Sequence, residues 1–159
     1  MTVSDPLAPD LLRAFAQLEF RLKEIPEYLR AGRHRMAQVN WTAVERAVSQ
    51  LPPSRFLDRV SDETKAKILT GARDRPMVQE VEVVGGRNVP VFKRLPLESP
   101  SDAGMLVEAA RRVRNNLFHG GKEPDDVGDD DEWARAALEI AELMLEMLRR
   151  NRLSPMAAP

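Results

Sequence analysis

The sequence predicts a mainly α-helical protein, an antiparallel helical bundle carrying one small β-hairpin. Three observations point there. Aromatic residues make up only 5% of the chain, while Leu, Ala, Arg and Glu, all good helix formers, are abundant. In several segments apolar residues recur at spacings of three and four, the period of an amphipathic helix. One stretch breaks that period: in "MVQEVEVVGGRNVPVFKRL" β-branched residues alternate on either side of Gly85-Gly86, the pattern of a hairpin. The 159 residues suffice for one domain with a sizeable core.

The first helix is expected over Leu11 to Leu29, with Leu11, Phe15, Leu18, Leu22 and Ile25 on its apolar face. Asp10 caps its start, and Pro26 kinks or restarts it. The basic stretch "RAGRHRMAQVN" reads as a connection. Asn40 then caps a short helix through Trp41, Val44, Val48 and Leu51, which Pro52-Pro53 stops. One or two short helices follow, with Ser61 as a cap and Gly71 near their end. The hairpin insertion spans 77–95, and Pro90 confines its second strand to an edge. The next helix runs from Ser101 to Phe118, with Leu106, Ala110, Val113 and Leu117 on its stripe. An acidic loop over 123–132 precedes the last helix, Glu132 to Arg150. Trp133, Ala137, Ile140, Met144 and Met147 make that helix apolar over a wide arc, central to a core or shared with a second subunit. The tail, 151–159, is expected to fray.

Composition narrows the function. Without cysteine there are no disulfides, thiolate metal sites or cysteine nucleophiles. A net charge of −1 argues against non-specific coating of nucleic acid, which runs on phosphate neutralisation, yet leaves room for a local basic cleft. No apolar run approaches a membrane span and the N-terminus lacks a signal-peptide pattern, so the cytoplasm is the expected location and no membrane partner is expected. Nor is there a Gly-rich phosphate loop, a Ser-His-Asp arrangement or a zinc ligand set. The aspartates 125, 126, 129, 130 and 131 lack the alternating spacing of a Ca²⁺ loop, and the last of them read as capping and dipole-complementing residues for the final helix.

"RRVRNNLFHGGK", Arg111 to Lys122, is the densest cluster of chemistry in the chain. It has a plain structural reading: Gly120 belongs just past a helix end, and Arg111, Arg112, Arg114 and His119 complement the dipole there. On a helical wheel Asn115 and His119 stack opposite the apolar stripe, Arg112 lies beside them, and Arg114 sits on the stripe's flank. The polar face is concentrated.

"RNNLFHGGK" resembles the R-x4-6-H signature of the HEPN superfamily, small helical bundles common in prokaryotic toxin–antitoxin and antiviral systems. Arg114, Asn115 and His119 fit that signature, and "LFHGG" resembles the way many members close this helix. "FAQLEFRLK" (Phe15 to Lys23) and "NWTAVERAV" (Asn40 to Val48) resemble helices of the Apea-like HEPN group, whereas the hairpin lies outside the family's core pattern. The resemblance implies a metal-independent endoribonuclease that needs no cofactor. The RNA's own 2′-hydroxyl would be the nucleophile, so the protein must supply proton transfer near neutral pH and a cation for the phosphate. His119 suits the first, Arg114 the second, and Asn115 would orient His119 or hydrogen-bond a phosphate. The chain has two histidines, His34 and His119, and the resemblance implies that two His119 and two Arg114 meet across a homodimer, leaving a monomer inactive. Arg111, Arg112 and Lys122 are further candidates for contacting RNA. Arg33, His34 and Arg35 read by default as a solvated charge cluster, with help in holding RNA as the other reading, and Glu19, which echoes an acidic position of the Apea-like group, reads first as a surface or salt-bridging carboxylate. An antitoxin or immunity protein is the protein partner such a role implies. The alternative is a non-catalytic HEPN module that binds RNA or a protein partner.

Overall fold

The computed structural model describes residues 3–70, 76–118 and 127–154. It is mainly helical, with two small antiparallel β-hairpins. Helix α1 spans Leu7–Lys23 and turns Leu11, Phe15, Leu18 and Leu22 fully inward. It therefore starts earlier and ends earlier than the apolar spacing indicates. Asp10 lies in its first turn, and Pro26 opens a separate 3₁₀ turn, Pro26–Tyr28. A proline removes the N–H that a continuing helix needs, so the chain leaves the helix there.

The stretch expected to be a connection is instead a hairpin. Strand β1 (Leu29–Ala31) pairs with β2 (Ala37–Val39) in antiparallel register, Arg30 opposite Gln38. The Met36 N–H donates to the Arg33 carbonyl at 3.2 Å, and His34 and Arg35 between them have φ of 56° and 61°. Two successive left-handed residues closed by that bond make a type I′ turn, where Asn-Gly is the usual choice. His and Arg each carry a Cβ into that region at a cost of about 1–2 kcal/mol.

Helix α2 (Trp41–Ser49) begins at the Asn40 cap, whose side chain accepts from the Ala43 N–H at 3.3 Å. Helix α3 is one turn, Asp62–Lys65, continued by a π-helical turn, Ala66–Thr70. The expected Ser61 cap is present, accepting from Thr64 N–H, and Glu139 in turn accepts from the Ser61 N–H (2.6 Å), the Ser61 hydroxyl (2.8 Å) and the Thr64 hydroxyl (2.5 Å). Gly71 lies outside the described residues. Strands β3 (Val78–Val84) and β4 (Arg87–Lys93) form the expected second hairpin, with Gly85 and Gly86 at φ 57° and 77° in its turn. With only two strands, both are edges, so Pro90 leaves no ladder unpaired.

Helix α4 (Asp102–Phe118) is capped by the Ser101 hydroxyl, which accepts from the Gly104 N–H at 3.0 Å. Helix α5 (Val127–Arg149) starts ahead of the expected Glu132. Asp130 and Asp131 belong to its opening turns, where carboxylates match the positive end of the helix dipole. Asp131 accepts from both the backbone and the hydroxyl of Ser4, tying the N-terminal segment to α5. Trp133, Ile140, Met144 and Met147 are buried within this one chain, so they are core residues. α5 packs on α1 and α4, and α2 packs on α4. The start of the tail is anchored, contrary to the expected fraying: Leu153 is buried and the Arg152 N–H donates to the Met147 carbonyl.

Candidate functional site

Helix α4 changes character along its length. Leu106, Val107, Ala109, Ala110 and Val113 are buried, while residues 114–117 are half-buried and Phe118 is exposed. Arg114, on the flank of the stripe, leaves the core sideways and meets α1. Its Nη2 lies 2.6 Å from Glu19 Oε1, and its Nη1 donates to Asn115 Oδ1 at 2.9 Å. The Phe118 ring lies 4.7 Å from the guanidinium carbon, one helical turn on, in a cation–π contact. The Nε is buried without a hydrogen-bond partner, a state that costs about 1–3 kcal/mol for a polar donor.

Its neighbours on the helix are spent differently. Arg112 donates to the Leu95 and Pro96 carbonyls, each at 2.7 Å, and to Glu108 Oε1 at 2.7 Å. Glu108, buried, takes the Glu98 and Ser99 N–H groups on its other oxygen at 2.8 and 2.9 Å. Residues 95–99 are thereby clamped along α4. The Asn116 amide donates to the Met77 carbonyl at 2.6 Å. The two ends of the β3–β4 hairpin are thus pinned about one helical turn apart on α4, with Arg114 and Asn115 in the interval between Arg112 and Asn116. Arg111 faces Glu45 of α2 at 3.6 Å, an ion pair too long for a hydrogen bond, and Glu45 Oε1 has no hydrogen-bond partner. Burial pushes the Glu45 carboxyl above the usual range, more than the Arg111 charge pulls it down.

These contacts also orient α2. Glu45 beside Arg111 and Ser49 hydrogen-bonded to Ser101 set the two helices antiparallel. Trp41, one turn before Glu45, therefore stands near the level of Asn115, one turn after Arg111. The base of the β1–β2 hairpin, where the Asn40 N–H donates to the Tyr28 carbonyl, is at this same end of α4.

The chain matches no family model, no curated protein and no solved structure. The site therefore stands on its own residues. Of those expected from sequence, Arg114 and Asn115 are brought together by a direct hydrogen bond, Arg111 is paired with α2, and Arg112 is built into the clamp. His119 and Lys122 lie outside the described residues, as do Asp125 and Asp126 of the acidic stretch. Glu19, met in the sequence as a mid-helix carboxylate, is the partner of Arg114, and Glu108 is a structural carboxylate that sequence reading missed. Among the described residues no group of three or more His, Asp or Glu side chains is gathered as a metal site requires, and no helix is long and apolar enough to cross a membrane. A surface groove lined by Glu63, Thr64, Lys67, Glu132, Arg135 and Ala136 holds ordinary pairings instead: Lys67 bonds Glu132 and stacks on Trp133.

Proposed function

We propose that the chain is a metal-independent endoribonuclease of the HEPN type, toxin- or defence-like, with Arg114, Asn115 and His119 as its site. In this reading α1, α4 and α5 are the antiparallel bundle of that family, and two copies of the chain bring their sites together in one cleft. The observation that carries it is the state of Arg114. Its side chain is 23% exposed and oriented by Glu19 and Asn115, which leaves a second hydrogen on each Nη group. A guanidinium held this way supplies donors to a phosphate without reorganising first. Phe118, stacked on it, is 56% exposed and Phe20 of α1 is 60% exposed, apolar surface open to a second copy.

The chemistry needs no protein nucleophile. The ribose 2′-oxygen attacks phosphorus and the bond to the 5′-oxygen breaks, leaving a 2′,3′-cyclic phosphate. One His119 takes the 2′-hydroxyl proton, and the other, entering the step protonated, gives its proton to the departing 5′-oxygen. Arg114 offsets the charge that builds on the non-bridging oxygens.

The second reading, a non-catalytic HEPN module that binds RNA or a protein, has one observation in its favour: the 2.6 Å pair with Glu19 already offsets the Arg114 charge. Incubating several RNAs with wild type and His119→Ala in EDTA, with analysis of the RNA ends, separates the two. The nuclease predicts cyclic-phosphate ends and a loss on the order of 10²–10⁴-fold in the variant. Intact RNA after incubation with folded wild type would leave the binding module.

A further inference from the structure

The β1–β2 hairpin carries a charge pattern that the fold does not use. Between Glu27 and Glu45 the chain has no acidic residue, yet it places Arg30, Arg33, His34 and Arg35 within six positions. All four are exposed, and so are Ala31, Met36, Ala37 and Gln38 around them. Among the described residues none of the four pairs with a carboxylate, and Arg30 reaches only the Gln38 amide at 3.4 Å. Eight other arginines do pair: Arg13, Arg21, Arg59, Arg111, Arg112, Arg114, Arg135 and Arg150 each face an Asp or Glu. In a chain of net charge −1, the hairpin is a local concentration of unneutralised cations.

The turn adds a second observation. His34 and Arg35 occupy the two left-handed positions of a type I′ turn, where Asn-Gly would sit without strain. Strained backbone of this kind is concentrated where a side chain is needed for function. The hairpin's base also stands at the end of α4 that carries Arg114 and Asn115.

We infer that the β1–β2 hairpin is a grip for the phosphate backbone of single-stranded RNA, with Arg30, Arg33 and Arg35 as phosphate contacts and His34 beside them. The choice of RNA over another polyanion rests on the ribonuclease reading of Arg114. Phosphate contacts of this kind position a strand without reading its sequence, and each one neutralised steepens the salt dependence of binding by about 0.7 in log–log slope.

The experiment measures binding of a labelled single-stranded RNA across a salt series, by anisotropy, in the full chain carrying His119→Ala so that the RNA stays intact. On that background His34→Asn with Arg35→Gly keeps the turn and relieves its strain, and a second variant adds Arg30→Gln and Arg33→Gln. Thermal melts accompany both. The expected result is a variant pair at least as heat-stable as its parent but weaker in RNA binding. The fourfold variant should have a slope shallower by about 2, from three lost phosphate contacts. An unchanged slope and affinity in the fourfold variant overturns the inference. So does a wild type that ignores RNA and binds phosphatidylserine vesicles through the hairpin. The cleavage assay in EDTA reads the other proposal separately: hairpin-dependent binding without cleavage keeps the grip and removes the nuclease, and cleavage with hairpin-independent binding does the reverse.

Discussion

Arg112 and Arg114 are two positions apart on one helix and do opposite work. Arg112, its side chain 10% exposed, has its donors taken by two carbonyls and by Glu108, itself saturated by two backbone N–H groups. Both Glu108 oxygens and both Arg112 Nη groups are partnered, although the neighbouring Ser99 hydroxyl is buried without a partner, and what the cluster holds is the path of residues 95–99. Arg114 has a carboxylate, an amide oxygen and an aromatic face, but its Nε is left without an acceptor. Arg112 is spent on the chain's own path, whereas the Nη groups of Arg114, held at a part-exposed helix end, are the donors that the proposed site would offer a ligand.

The comparison breaks most directly at Arg112. Arg112→Ala leaves the Glu108 carboxylate buried without its cation, and breaking a buried pair from one side costs about 3–5 kcal/mol. Urea unfolding should show that loss, and Arg114→Ala, which opens a pair exposed by about a fifth on both sides, should cost clearly less. Equal losses would mean that the two arginines are both structural and the contrast is empty. On the proposed nuclease reading the order reverses for activity. Removing one preorganised donor from a developing oxyanion costs about 10²–10³-fold, so Arg114→Ala should lose that much cleavage while its fold survives. Arg114→Lys should not recover it, because an ammonium cannot serve Glu19, Asn115 and a phosphate from one plane. Full recovery by lysine would reduce Arg114 to a point charge.

The same contrast explains what the sequence discloses. Helix positions, the Asn40 and Ser61 caps and the Gly85-Gly86 hairpin are legible because each has a local cause: an apolar period, a side-chain acceptor, or a turn residue suited to positive φ. The β1–β2 hairpin is illegible because its type I′ turn is built on His34-Arg35, without the glycine or asparagine that marks such turns. The start of α5 is missed because Asp130 and Asp131 look like loop residues until the helix dipole is in place and Ser4 is bonded to Asp131. Leu153 reads as tail because the surface that covers it comes from elsewhere in the chain. Arg114 and Asn115 stand out through their spacing to His119, but nothing local tells Arg112 from Arg114. That distinction comes from Glu19 on another helix and from the carbonyls of 95 and 96, contacts that no periodicity encodes.

Arg111 and Glu45 supply an intermediate case, and the smallest expected effect. Their 3.6 Å separation gives attraction without a hydrogen bond, and Glu45 Oε1 is buried and unpartnered. Burial raises the Glu45 carboxyl above its unfolded value, with Arg111 opposing. A carboxyl raised on folding holds its proton in the native state where the unfolded chain has lost it. Stability therefore falls as pH rises through that window, between the unfolded value and the raised folded one, and stays lower above it. Glu45→Gln has no proton to lose. Its stability relative to wild type should improve from pH 4 to pH 7 in parallel urea titrations, by less than either arginine effect. A variant that instead loses ground toward pH 7 would show that the Arg111 attraction outweighs burial. Arg111 would then belong with Arg112 as a structural cation.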